Sequence, residues 1–181
     1  MDIKKNFYGG PRSFSSSIEH DYTVLTLFNE TVNQEDEVYI LGDLMLEDNE
    51  HGLNFIKQLN GKLHIILGNH DSNTRIELYK QLSNVVEITY ATIIKIGKQH
   101  YFLCHYPTYT ANYDDKPYHN HLINLHGHTH SKDKFFNDNP FMYNVALDAH
   151  NCMPVSIEQI NEDIHNKINE LYQIKIKGGE N

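Results

Sequence analysis

Cysteine is scarce in this chain: Cys104 and Cys152 are the only two in 181 residues. Two thiols build no disulfide framework, and their spacing fits no zinc knuckle. The expected setting is a reducing compartment with structural thiols, and the expected localisation is cytoplasmic. Cations are also short, with 15 Lys and Arg against 24 Asp and Glu and a formal net charge of -9. A strong nonspecific nucleic-acid binder carries a basic surface, so that class is excluded. A phosphate-bearing substrate remains open, because bound divalent cations reverse the local potential. No apolar run approaches the roughly 18 residues that a membrane span needs. The opening segment, Met1 to Gly10, has no apolar stretch of the signal-peptide kind.

What is present describes an ordinary globular protein, with 39% hydrophobic and 22% charged residues. The length implies a single domain over residues 1–181. Histidine is abundant at 13, and His105, His119, His121, His126, His128, His130 and His150 crowd one third of the chain. That clustering points toward metal.

Along the chain, Asn6-Phe7-Tyr8 reads as a short strand broken by Gly9-Gly10-Pro11. Ser16 and Glu19 have capping-box spacing, and Ile18, Tyr22, Leu25, Phe28 and Val32 follow as a helical core stripe. Val38 to Leu41 is a buried strand. Leu53, Phe55, Ile56 and Leu59 mark a helix ended by Asn60-Gly61. Leu63 to Leu67 is the next strand, and a helix starting at Asp71 or Ser72 runs to about Leu82. This alternation predicts parallel strands. The pattern then changes: Val85 to Ile88, Ala91 to Ile96 and Tyr101 to Cys104 follow closely, with a hairpin turn at Gly97-Lys98, which implies an antiparallel portion in a second sheet. Residues 106–121 form a long loop over the site. Leu122 to His126 and Phe141 to Leu147 are strands, Ile157 to Leu171 an amphipathic helix, and Lys175 to Asn181 a frayed tail.

Four of the apolar runs end in metal- or proton-competent side chains: Gly42-Asp43, Gly68-Asn69-His70-Asp71, His105, and Gly127-His128-Thr129-His130. Four strands would thus deliver ligands to one rim of a sheet. Asp43 can bridge two hard or borderline metals, and the Asn69 amide oxygen suits Mn²⁺, Mg²⁺ or Ca²⁺. His128 and His130, two residues apart, can direct both imidazoles to one site. His126, just inside its strand, reads as buried and structural.

In that order, these motifs resemble the calcineurin-like metallophosphoesterases, over about residues 12–173. Asn144 to Asp148 followed by Pro154-Val155-Ser156 is similar to the end of small prokaryotic and phage-type members, and Arg12 to Ser16 resembles their Arg-Pro-Phe-Ser stretch. The resemblance implies an α/β fold, a two-sheet β-sandwich of mixed strands flanked by helices in four layers. It implies a dinuclear centre with Asp43 bridging, Asn69, His105 and His128 on the second metal, and His130 on the first. It also implies that Asn69 and His70 hold the substrate phosphate. His70 would protonate the leaving oxygen, with Asp71 orienting it. The reaction would be attack of a metal-bound hydroxide on a phosphate ester, with phosphodiesters favoured by analogy to small relatives. Mn²⁺ is the expected metal, with Fe, Zn, Ni, Co and Mg as other candidates.

One family feature is missing. The first metal normally takes an Asp-x-His motif after the first strand, and no such motif precedes Gly42. The count of ions is therefore one or two per chain. The alternative is a catalytically impaired relative that binds a nucleotide or a protein. Tyr106, Tyr109, Tyr113 and Tyr118 on the long loop could stack on a base, making a nucleotide-like substrate one option beside simple packing.

Overall fold

The computed structural model describes residues 14–46, 48–112 and 121–178. The expected strand at Asn6-Phe7-Tyr8, the Arg12 position, Tyr113 and Tyr118 lie outside them. Helix α1 (Ser17–Thr31) starts where the capping box places it. The Ser16 hydroxyl accepts from the Glu19 N–H at 3.1 Å, and a Glu19 carboxylate oxygen accepts from the Ser15 N–H at 2.9 Å. Its buried face differs from the expected stripe. Ile18 and Tyr22 are 77% and 72% exposed, whereas His20, Val24 and Phe28 are buried. His20 holds an inner position because its ring packs edge-on to Phe14, at 5.2 Å between centroids, and its Nδ1 pairs with Asp21 at 2.7 Å. An apolar-only stripe cannot register that.

Strands β1 (Glu37–Ile40), β2 (Lys62–Ile66) and β3 (Val85–Thr89) form a parallel sheet in that order. Helices α2 (Asn49–Ile56) and α3 (Asn73–Tyr79) make the crossovers, capped by the Asp48 and Ser72 side chains. Helix α3 stops three residues short of Leu82, yet Tyr79 and Leu82 both stay in the core. Alternation sorts the sheet. Val38, Ile40, Leu63 and Ile65 share a core with Phe28, Ile56 and Tyr79 from the helices. Tyr39 and Ile66 belong to the opposite face, in a second core.

The second sheet runs β4 (Ala91–Ile96), β5 (Gln99–Cys104), β6 (Ile123–His126) and β7 (Met142–Asn144). Only β4 and β5 are antiparallel, joined by the hairpin at Gly97, whose φ is +60°. Strands β5, β6 and β7 are parallel. Tyr101, Leu103, Ile123, Leu125 and Tyr143 share a core with Ile160 and Ile164 of α4 (Ile157–Gly178). The Tyr101 and Tyr143 hydroxyls donate to Asn161 and Asp163, each at 2.5 Å. Leu41 and Ile66 from the first sheet enter this same core, so one apolar interior joins both sheets.

Two expectations need correction here. The strand over Phe141 to Leu147 is only Met142–Asn144, followed by a 3₁₀ turn at Leu147–Ala149. The cause is Asn144, whose amide donates to the Ser131 and Asp133 carbonyls and whose side-chain oxygen takes the Ala146 N–H. A side chain that bonds nearby backbone ends the ladder. The expected tail is helical from Lys175 to Gly178, and residues 179–181 lie outside the described residues.

Candidate metal centre

Parallel strands finish at the same edge of a sheet, and that places the polar tips together. β1 and β2 deliver Gly42-Asp43 and Gly68 to Asp71 side by side. Gly42 has φ +89°, and a Cβ there would sit 2.5 Å from His105 Nδ1 and 2.7 Å from the Gly68 Cα. A Cβ on Gly68 would collide with the Asp43 carboxylate. Both glycines are therefore what lets the two tips touch. Asp43, His128 and His130 have φ of 59°, 65° and 48°, in the left-handed region that side chains avoid. Strain of this kind concentrates at sites.

Four donor atoms converge on one point. His105 is buried, and its Nδ1 lies 2.7 Å from the Leu41 carbonyl. A carbonyl can only accept, so Nδ1 carries the proton and Nε2 faces inward. That Nε2 is 3.0 Å from Asn69 Oδ1, 3.1 Å from His128 Nδ1 and 3.3 Å from Asp43 Oδ2. Ligand atoms of Asp43, His105 and His128 all lie within 4.8 Å of one another. Such a convergence is satisfied by a protonated imidazole or by a divalent cation in the proton's place. One carboxylate, one amide oxygen and two imidazoles suit a divalent cation. The electrostatics agree. Burial pushes the Asp43 carboxyl up, but the His105 ring and the His70 N–H bond it and hold it below the ordinary carboxylate range. Burial pushes His105 down, but its bonds to Asp43 and the Leu41 carbonyl carry it above the usual value. Burial, then the charge of His105, lowers His128.

Asp71 has a different task from the one expected. One of its oxygens accepts from the Asp43 N–H at 2.9 Å and the Gly68 N–H at 2.8 Å, and the other from the Tyr79 hydroxyl at 2.6 Å. Those bonds pin the backbone of both tips; among the described residues, none of its hydrogen bonds goes to the His70 imidazole. His70 itself is exposed at the rim, and its N–H donates to Asp43 Oδ1 at 2.9 Å.

Sequence reasoning missed Arg75. Its guanidinium donates to the His70 carbonyl at 2.7 Å, the Leu46 carbonyl at 2.9 Å and Asn49 Oδ1 at 3.0 Å. It thereby ties the Asp43 loop to the Asn69 loop. An arginine in the first turn of a helix reads as surface charge, and nothing local reveals its partners. His126 is fully buried, with Nδ1 2.9 Å from the Gly127 carbonyl, as a structural histidine would be. His130 stands apart from the four-donor group, with Nδ1 3.5 Å from the buried Asp148 carboxylate. In the sequence, Asp148 closes an apolar run and the segment that resembles small family members, with no site role attached to it.

The family model of the calcineurin-like phosphoesterase superfamily domain matches residues 19–145. The chain belongs to that superfamily. Its members are generally phosphoesterases that bind divalent metals, and the two-sheet α/β architecture here is that fold. An uncharacterized protein of Methanocaldococcus jannaschii, MJ1445, is 30% identical over 155 residues, 82% of this chain and 77% of its own. The Gene 66 protein of Mycobacterium phage D29 is 27% identical over 176 residues, 84% of this chain and 85% of its own. A crystal structure of the Aquifex aeolicus protein AQ665, of unknown function, superposes with a TM-score of 0.61. It covers 90% of this chain and 93% of its own at 19% identity, a likeness of fold alone. Among the described residues, no helix is long and apolar enough to cross a membrane.

Proposed function

We propose that this chain is a divalent-metal-dependent phosphoesterase, with Mn²⁺ as the working ion and phosphodiesters as the preferred substrates. The observation that carries the reading is the convergence of Asp43, Asn69, His105 and His128 on one point. Those four residues would hold the cation. When bound, a divalent ion supplies charge stabilisation at phosphorus and lowers the pKa of water. The protein's own parts do the rest. The Leu41 carbonyl fixes the His105 tautomer that leaves Nε2 available. Asp71, Tyr79 and Arg75 hold the two strand tips in register. His70, exposed beside Asp43, hydrogen-bonds the phosphate and gives a proton to the leaving oxygen from its ring.

A second reading has its own observation. His130 pairs with Asp148 and lies outside the four-donor group, and no Asp-x-His motif precedes Gly42. This supports a mononuclear centre, and in the limit a binding protein with impaired catalysis. One experiment separates them: metal content after Mn²⁺ saturation, together with hydrolysis of bis-(p-nitrophenyl) phosphate by wild type and His70→Ala. The phosphoesterase reading expects turnover that falls about 100-fold or more in the variant. Metal binding without turnover, under any divalent ion, would leave the binding-protein reading.

A further inference from the structure

One aromatic ring touches the centre and still faces water. Tyr106 follows His105 directly and is 47% exposed. Its ring centroid lies 5.0 Å from that of His105, at an interplanar angle of 78°. It lies 4.8 Å from that of His128, at 63°. Tyr106 therefore makes T-shaped contacts with both imidazoles of the four-donor group and leaves nearly half its surface open at the rim.

The backbone that carries the ring is also held in place. The Tyr106 carbonyl accepts from the Cys104 thiol at 3.0 Å and the Thr108 hydroxyl at 3.1 Å. The Thr108 N–H donates to Asn124 Oδ1 at 2.8 Å, and Asn124 is fully buried. The first turn of the loop is thus anchored to the floor of the second sheet. A tyrosine with a fixed backbone and two neighbours against its ring loses little further freedom when a ligand lands on it. By contrast, Tyr109, three residues on, is 71% exposed.

We infer that Tyr106 is a stacking platform for a flat aromatic group on the ester, so that the site takes nucleotide-like phosphates in preference to aliphatic ones. The inference rests on the phosphoesterase reading, which supplies the phosphate end of the ligand. Stacking on a pre-placed aromatic is tolerant of base identity, so the platform selects for a base and not for a particular one.

The test compares adenosine 5′-monophosphate with ribose 5-phosphate, measured by isothermal titration calorimetry on the Mn²⁺-loaded full chain. Both carry the same phosphate on a ribose, and they differ chiefly in the base. Wild type should bind the nucleotide about tenfold or more tightly. Tyr106→Leu should bring the two affinities together, Tyr106→Phe should keep the preference, and Tyr109→Leu should leave it unchanged. A ring that only wedges the imidazoles would weaken both ligands alike in Tyr106→Leu, with their ratio intact, and that result overturns the platform. Equal binding by wild type overturns it too and leaves the phosphoesterase reading standing. If neither phosphate binds the loaded protein, the platform falls, while turnover of bis-(p-nitrophenyl) phosphate decides the phosphoesterase reading separately. Because the decisive quantity is a ratio within one variant, partial misfolding does not imitate it.

Discussion

His128 and His130 come from one four-residue turn, yet they end in different company. His128 Nδ1 stands 3.1 Å from His105 Nε2, inside the four-donor group. His130 Nδ1 stands 3.5 Å from a buried carboxylate, Asp148, outside it. The spacing of two residues suggested one shared target, because alternate side chains of a strand face the same way. The turn lies beyond the end of β6, however, and both histidines are left-handed there, with φ of 65° and 48°. Strand alternation has ended by then. Beyond the end of the strand, a spacing of two residues no longer sets a common direction for the pair.

Removing one imidazole at a time would break or sharpen that contrast. His105→Ala should weaken the tightest Mn²⁺ equivalent about 100-fold or more, because a three- or four-ligand site loses a member. His130→Ala should leave that same equivalent within about threefold. Titration followed by electron paramagnetic resonance measures both, and equal losses would merge the two corners into one site.

A smaller effect is expected from Arg75, which serves the four-donor corner alone. Arg75→Met should weaken Mn²⁺ about tenfold, in the range seen when groups supporting a ligand are removed. Arg75→Lys should not restore it, because one ammonium cannot span the Leu46 carbonyl, the His70 carbonyl and Asn49. Unchanged affinity in both variants would mean that the two loops hold their geometry without the guanidinium.

The smallest effect lies away from the rim, on the first sheet. His64 is stacked on Tyr39 at 4.4 Å, and its two ring nitrogens meet Glu37 at 2.7 Å and Glu87 at 2.8 Å. Burial lowers its pKa, but the bonds to the two carboxylates outweigh that and raise it above the ordinary value. A raised folded-state pKa contributes stability that is complete below the unfolded pKa and is lost as pH rises through the folded one. His64→Gln should therefore cost most near about pH 5.5 and least near about pH 9, by under about 1 kcal/mol, since both glutamates are about half exposed. Urea midpoints of the two proteins at each pH check this. A gap that widens with pH would reverse the sign and reject the imidazolium clamp.

Much of this protein was legible in the chain itself. The capping of α1 by Ser16, the hairpin at Gly97, the parallel pairing of β1 with β2 and the Gly-Asp and Gly-Asn tips follow from local patterns, whereas β3 joins the first sheet in parallel although its place in the chain suggested the hairpin strands of the second. Each depends on neighbours a few residues away, and a sequence displays those directly. The fold decided the rest. His105 gets its tautomer from the carbonyl of Leu41, 64 residues earlier. Asp71 turned from an expected partner of His70 into a clamp on Gly68 and Asp43, and Arg75 found carbonyls on two separate loops. His20 took a core position that apolar periodicity had reserved for Ile18 and Tyr22. In the first three cases a deciding contact joins segments whose adjacency exists only after the strands have paired, and a polar side chain carries no local sign of which distant backbone group it will satisfy; His20 is settled nearer by, through Phe14 and Asp21.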